Sequence, residues 1–442
     1  MRIIAISALP LWVMGDRKGL PTIYNGVNGF VDAGHEVHFI SPLLHVWRRD
    51  LDGDFGKSPK EALYDGIHVY RFNIPFLPLL RKLSLMKPSK SRVPRYAKRF
   101  IEFFAQVVMW TSFTMSSLLL ALRIARRGRP DVVYAHNGIA AAAAFILAKM
   151  YRVPNVTRIY GTFLPQIKWS PEQLLMYFPE VLGFTIPCSY LIVTNDGTQG
   201  DKIADKLHVP KSRLKFWVNG VDKEMSAPNV TVAEAKQRIG IPADKKLILS
   251  LNRLDSWKRI DRLIRAVPAT LAEYPNAHVL IVGDGSERKN LEGLVAELKL
   301  ENHVRFEGAV PHASVRDYMH AADVFVSTQD LTNFGNHLLE AMTCGKCIVT
   351  LNNGDTGNFI THNETGILLE PDRLELLPPA IVTLLRDEAL RQRLGSNARQ
   401  YAQRNFQTWE ERVKREVSLI ESLVRPAPRH GKRTPSREGL RP

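Results

Sequence analysis

Short apolar runs recur along the whole chain, separated by longer stretches of mixed character. In the first half they fall at residues 3–8, 36–41, 66–72, 131–136, 154–160, 191–195 and 214–218. In the second half they fall at 246–251, 278–282, 304–307, 324–326 and 347–351. Runs of this length, apolar on both faces, predict strands of covered parallel sheets. Between the first two lie Ile23, Val27 and Phe30 at helical spacing, closed by Gly34. Residues 260–273 read as an amphipathic helix in the second half. Strand, loop, helix and strand in about forty residues is a βαβ unit. The pattern predicts an α/β chain with two parallel sheets.

The regularity breaks over residues 76–129. Residues 76–80 are apolar, 81–99 carry Lys and Arg without an acid, and 103–122 contain no charge. Twenty uncharged residues meet the minimum for a membrane span. Gln106, Thr111, Ser112, Thr114, Ser116 and Ser117 interrupt the apolar character, and the run leads directly into the strand at 131–136. A buried helix of the first domain is expected, with an amphipathic element on a membrane surface second and a spanning helix third. The apolar residues 3–14 after Arg2 read as a first strand and its loop rather than as a secretory leader.

The chain has 442 residues, enough for two domains, and a formal net charge of +16. The charge concentrates at 81–99, at 126–129 and in the Pro/Arg-rich tail 425–442, which reads as disordered. No aromatic residue interleaves with the tail's cations and no nucleic-acid-binding motif is present, so phosphorylated ligands or an anionic membrane surface met through 81–129 are the expected partners. A solvated face is the alternative for the same region. Three cysteines argue for a reducing compartment. Cys344 and Cys347 form a C-x-x-C without a second pair, and burial explains them better than zinc or redox chemistry. The histidines are scattered, and no metal site is expected.

Residues 327–345, STQDLTNFGNHLLEAMTCG, hold the densest candidate chemistry. A strand (324–326), a polar loop and a helix (337–344) ended by Gly345 present backbone N–H groups at a sheet edge, where open α/β proteins bind nucleotides. Glu340 either accepts the hydroxyls of a ribose or complements the helix dipole at the surface. In residues 252–258, Arg253 and Lys258 share a loop before a helix start; they suit a diphosphate or form an exposed cationic pair. His136 ends a strand at the ligand edge, as a site residue or a structural histidine. No G-x-G-x-x-G is present, so a dinucleotide is not expected. Gly15 and Gly19, in the first loop, either approach donor phosphates or make turns.

The segment Phe334–Gly335–x–x–Leu338–Leu339–Glu340–Ala341–Met342–x–Cys344–Gly345 resembles the signature of the GT-B retaining glycosyltransferases of family four, also called group 1. Asn252–Arg253–Leu254 with Lys258 resembles its Gly-Arg-Leu-x-x-x-Lys, and Asn219–Gly220–Val221–Asp222 its first-domain end. The resemblance spans roughly residues 3–424. It implies two Rossmann-like domains facing across a cleft, with boundaries at 1–225 and 226–405 and a helix at 406–424 returning to the first domain. It implies transfer of a sugar from a nucleotide sugar, by default a UDP-sugar, to a saccharide or lipid-linked acceptor with retention, in the cytoplasm or on the inner membrane face. Glu340 would hold the ribose. Arg253 and Lys258 would stabilise the leaving diphosphate in place of a metal, with no cofactor. His136 would lie near the reacting sugar, and Phe334, Gly335, Asn336, Gly354, Asp355 and Thr356 would line the donor site, with Thr162 a weaker contact.

Two departures stand out. Thr332 occupies the position of the family's first glutamate, and Asn333 that of the following glycine. A sugar-nucleotide epimerase on the same fold and a catalytically silent binding protein therefore stay open as alternatives.

Overall fold

The computed structural model describes residues 1–9, 11, 21–44, 46, 59–84, 95–226 and 231–424. Gly15, Gly19, much of the basic stretch at 85–94 and the tail at 425–442 lie outside the described residues.

The apolar runs form strands of two sheets. In the first half these are β1 (Arg2–Ser7), β2 (Glu36–Pro42), β3 (Glu61–Tyr64), β4 (Ile67–Phe72), β5 (Val132–His136), β6 (Asn155–Ile159), β7 (Tyr190–Thr194) and β8 (Leu214–Trp217). Their order is β3-β4-β2-β1-β5-β6-β7-β8. All neighbours are parallel except β3 and β4, which form an antiparallel hairpin with Asp65 and Gly66 at its turn, both at positive φ. The sequence pattern did not announce β3, because an edge strand with Glu61, Leu63 and Tyr64 carries no apolar run. The second sheet contains β9 (Lys246–Leu251), β10 (Ala277–Val282), β11 (Val304–Gly308), β12 (Val324–Ser327), β13 (Cys347–Leu351) and β14 (Ile367–Leu369). It is wholly parallel in the order β11-β10-β9-β12-β13-β14.

Helices cover both faces of each sheet, which is why the strands are apolar throughout. Ile4 and Ile6 pack on one face of the first sheet while Ile3 and Ala5 pack on the other. Ile248 and Leu249 divide in the same way in the second sheet. The strand order reverses between β1 and β5 in one sheet and between β9 and β12 in the other, and such switch points open crevices at the carboxyl ends of the strands.

The uncharged run 103–122 lies within one long helix, Arg95–Arg127. Ala105, Met109, Phe113, Ala121 and Ile124 are buried in the first domain's core, so one side of this helix belongs to the fold. By length and composition the same helix is apolar enough to cross a membrane. The connection between domains contains a helix, Val232–Arg238, started by a capping box in which Thr231 and Glu234 satisfy each other's backbone N–H groups.

The last helix, Trp409–Val424, returns to the first domain and buries Val417 and Ile420 against Ile3, Phe30 and Tyr134. A buried ionic cluster fixes it there. Glu416 accepts from Arg158 at 3.1 Å and from Arg412 at 2.8 Å, and the Tyr134 hydroxyl donates to it. The two arginines and nearby donors pull the Glu416 carboxyl down to about 2 against the opposing effect of burial, which is the largest single influence.

Candidate functional site

The two strands at the second switch point deliver the two halves of the site. β9 leads into Asn252–Arg253 and a short 3-10 turn, Ser256–Lys258. β12 leads into the loop 328–335 and the helix Asn336–Thr343. Gly335, with extended backbone, precedes that helix, and its carbonyl accepts from the Leu338 and Leu339 N–H groups at 2.9 and 3.1 Å, which leaves the N–H groups before Leu338 without an intrahelical partner. Gly345 ends it at φ +68°, a conformation glycine adopts without strain.

A neutral polar lattice fills the base of the loop. Asn333 Oδ1 accepts from Ser327 Oγ and the Gln329 N–H, both at 2.8 Å. Its Nδ2 donates to Asn353 Oδ1 at 2.7 Å, and its own N–H donates to Thr356 Oγ1 at 3.0 Å. Gln329 Nε2 donates to Asn252 Oδ1 at 3.0 Å and to His337 Nε2 at 2.7 Å. Burial, followed by the nearby Lys258 charge, keeps His337 neutral. Asn333 and Asn252, both standing where the resemblance expects glycine, thus use their amides to brace the loop.

Lys258 is half-buried, stacks over the Trp257 ring with Nζ 3.8 Å from the centroid, and donates to Gln329 Oε1 at 2.6 Å. Removal from water, then repulsion from Arg253, lowers its ammonium to about 7, with Asp255 and Asp196 acting the other way. Arg253 is exposed and held at one end by Asp255 at 2.9 Å. The two cations stand close enough for Arg253 to depress Lys258.

Glu340 is buried, and among the described residues nothing donates to its carboxylate. Burial raises it to about 7; His312 opposes that rise and Asp222 adds to it. His312 Nε2 and Asp222 Oδ2 stand 2.6 Å apart, and this contact raises the histidine. With no protein donor on it, this carboxylate is open to donors from a ligand.

The first domain meets this site along a defined edge. Asn336 Oδ1 accepts from Asn219 Nδ2 at 2.9 Å, and Asn336 Nδ2 donates to Thr22 Oγ1 at 3.4 Å. The Asp355 N–H donates to the Gly197 carbonyl at 3.0 Å, and Gln199 Nε2 donates to Asp355 Oδ1 at 3.2 Å. Phe163 packs edge-on against Trp257. Asp196 bonds the Thr198 hydroxyl and N–H, and burial raises its carboxyl to about 6, while Lys258 across the cleft lowers it. Thr162 is buried and donates to Glu180 at 2.9 Å.

Several residues expected at the donor site are placed differently. His136 is fully buried and pushed down to about 3 by burial and then by Arg158. Its Nδ1 stands 2.6 Å from the Tyr160 hydroxyl, and the ring packs on Tyr134 and Phe39. Phe334 is fully buried and stacks on Phe359, so it supports the loop from behind. Thr332 is buried, accepts from the Phe334 N–H at 3.0 Å and lies against Gly197. Gly354 and Asp355 join the interdomain edge, and Thr356 is enclosed in the lattice. Gln329, Asn353, Asp196 and His312 were not singled out in the sequence, and Asp222 entered only as part of the motif at 219–222. Their partners are distant in sequence, and no local pattern marks them. Among the described residues no group of three or more His, Cys, Asp or Glu could hold a metal ion, and all three cysteines are buried thiols.

Residues 231–401 match the family profile described as glycosyl transferases group 1, and residues 103–225 match that described as glycosyltransferase family 4. A glycogen synthase of Mycobacterium tuberculosis is 27% identical over 340 residues, covering 75% of this chain and 79% of that protein. Among solved structures, sucrose-phosphate synthase from Thermosynechococcus elongatus superposes with a TM-score of 0.71 at 20% identity, over 96% of this chain and 99% of that one. Anabaena HepE, solved with UDP-glucose, superposes with a TM-score of 0.67 at 18% identity, over 96% and 99%. The architecture is that of the GT-B glycosyltransferases.

Proposed function

We propose that this chain, which belongs to the group 1 glycosyltransferases, transfers a hexosyl group with retention from a UDP-sugar to a hydroxyl of a saccharide or lipid-linked acceptor. The observation that carries the donor half is Glu340: a buried carboxylate without a donor, at the start of the signature helix, on the same sheet edge as two cations. A ribose diol supplies the two donors that the carboxylate lacks. With Glu340 on the ribose, the diphosphate extends toward Arg253 and Lys258.

The reaction breaks the bond from the anomeric carbon to the diphosphate oxygen and forms one to the acceptor oxygen. The acceptor's proton leaves with the diphosphate or with solvent. Negative charge grows on the leaving diphosphate, so fixed cations bind the transition state more tightly than the ground state. In this proposal Arg253 and Lys258 supply that charge without a metal. UDP is the preferred nucleotide because HepE, which shares the fold, was solved with UDP-glucose.

A catalytically silent binding protein is the second reading, favoured by Thr332 in place of the family's glutamate. Slow hydrolysis of a UDP-sugar separates the two. The proposal expects UDP to raise the melting temperature, Glu340→Ala to abolish that rise, and UDP-glucose or a related sugar to lose its sugar on incubation. Binding without any turnover supports the silent protein. Absence of binding to every nucleoside diphosphate overturns both.

A further inference from the structure

Away from the crevice, the long helix Arg95–Arg127 keeps an apolar face uncovered. Phe100, Phe104, Met115 and Leu119 are between 51% and 69% exposed. They lie four, eleven and four residues apart, which at 3.6 residues per turn places them within one arc of about 100°. A stripe of large apolar side chains is rare on the surface of a soluble monomer and marks an interface.

The carboxyl-terminal half of this stripe borders a cavity of about 280 Å³. Leu119 and Ser116 of the helix form one wall, and Arg71, Asn73 and Lys60 from β4 and its hairpin form the other. Arg123, one turn beyond Leu119, closes it. Lys60, Arg71 and Arg123 make no ion pair with any described acid. Arg71 is 4% exposed. Two of its nitrogens donate to the carbonyls of Pro59 and Leu11, and its Nε is buried without a partner. A buried guanidinium with no counter-ion and a free donor is a costly arrangement that an anion relieves. Beyond the cavity, Arg126 and Arg127 extend the cationic rim. At the opposite end of the helix, Lys98 and Arg99 are already paired with Glu102 and Glu172.

We infer that this face docks the protein on an anionic lipid bilayer, with the phosphate of an acidic phospholipid in the Lys60–Arg71–Arg123 cavity and the Phe100–Leu119 stripe in the acyl region. Apolar residues at the headgroup boundary with adjacent cations on lipid phosphates are the combination that holds a helix in the plane of a membrane. The helix remains part of the first domain, since its other side carries Phe113 and Ala121 in the core. The inference is independent of the donor site.

The test is sedimentation of the full chain with vesicles of phosphatidylcholine alone and of phosphatidylcholine mixed with phosphatidylglycerol. The chain pellets with the mixed vesicles, and raised salt releases it. The double variant Lys60→Ser/Arg123→Ser binds them roughly 30-fold more weakly. Phe104→Ser/Leu119→Ser weakens binding about tenfold or more, because two large apolar groups no longer enter the bilayer. All four side chains are exposed, and an unchanged melting temperature together with unchanged UDP-sugar turnover confirms that each variant is folded. Equal binding to neutral and mixed vesicles, or equal binding by wild type and the cation variant, overturns the inference. Binding of inorganic phosphate by the wild type, lost in Lys60→Ser/Arg123→Ser, with no sedimentation on the mixed vesicles also overturns it, since the cavity is then a site for free phosphate.

Discussion

Lys258 donates from Nζ to Oε1 of Gln329 across 2.6 Å, and Gln329 in turn ties Asn252 to His337. A neutral amide therefore orients the ammonium without cancelling its charge. Held out of water beside Arg253, that ammonium loses its proton near pH 7. Its charged form declines as pH rises through that value. The free enzyme's kcat/KM should accordingly fall above about pH 7, by roughly tenfold per pH unit where this group dominates. Lys258→Arg retains a cation at all working pH and should move the alkaline limb upward. Lys258→Ala should lower kcat by about 10²–10³-fold. A pH–rate profile of the three proteins checks all of this. An alkaline limb unchanged in Lys258→Arg would assign it to another group.

Glu340 is the mirror case. Its carboxyl is raised to about 7 by burial, so the ligand-free fold prefers the protonated form. Because the folded value lies above the ordinary carboxylate value, the contribution to stability is complete at acid pH and is lost as pH rises through about 7. Glu340→Gln should therefore be more stable than wild type at pH 8, by about 1–3 kcal/mol, while binding UDP about 10–100-fold more weakly. UDP binding just below pH 7 draws a proton off Glu340 while Lys258 takes one up, so Glu340→Gln should shift the net proton change toward uptake relative to wild type. Titration calorimetry in buffers of different ionisation enthalpy measures the difference. A variant that is both less stable and equally tight would remove Glu340 from the ribose site.

The parallel strands other than β14 and the signature helix were legible because each follows from local patterning, whereas the return of the last helix was implied only by the family resemblance. The amphipathic helix expected at 260–273 is found at Ile260–Glu273, and the signature helix begins one residue before its expected start. The lattice around Asn333 was not legible. Gln329 reaches Asn252 and Lys258 across 77 and 71 residues of sequence, and such pairings exist only once β9 and β12 lie side by side. His136 shows the same limit from the other direction. A histidine at a strand's carboxyl end is expected to face the crevice, but its side chain is fully buried among Tyr160, Tyr134 and Phe39. Strand alternation and crowding by aromatic neighbours, neither visible locally, decide that outcome. The uncharged run 103–122 is expected first as a buried helix, and only one side of Arg95–Arg127 is buried in the domain while large apolar side chains on the other side are exposed.

The cluster at the last helix predicts a large stability effect far from the crevice. Removing the Glu416 carboxylate leaves Arg158 and Arg412 buried together without their anion. Breaking a buried pair by deleting one partner typically costs about 3–5 kcal/mol. Glu416→Ala should lower the urea midpoint correspondingly and free the helix Trp409–Val424, detectable as accelerated amide exchange. The folded carboxyl lies at about 2, below its ordinary value, so this stabilisation is complete above the ordinary carboxylate range and is lost as pH falls toward 2. The variant should therefore show a flatter acid-denaturation curve than wild type. An unchanged curve would place the acid-labile interaction elsewhere.

Gly197 offers the sharpest test of how the domains meet. Its backbone lies at φ +80°, and a Cβ there would stand 2.1 Å from Thr332 Oγ1 and 2.9 Å from Phe334 Cβ, both in the opposing domain. Its carbonyl accepts from the Asp355 N–H at 3.0 Å, and a Cβ on Gly354 would press within 2.3 Å of that carbonyl oxygen. Two glycines thus let the two backbones touch beside Thr332. Alanine at 197 adds about 1–2 kcal/mol of left-handed backbone strain and also wedges the signature loop away from the first domain. The strain alone would lower stability and leave kinetics intact. The wedge instead separates Lys258 and Glu340 from the acceptor side, and misplacement by about 1 Å can cost around 100-fold in rate. Gly197→Ala should therefore fold, bind UDP near normally through the second domain, and lose transfer by that order. Its radius of gyration with UDP bound, measured by small-angle scattering, should exceed that of wild type. Full transfer with an unchanged radius would mean that the reaction does not require contact at this edge.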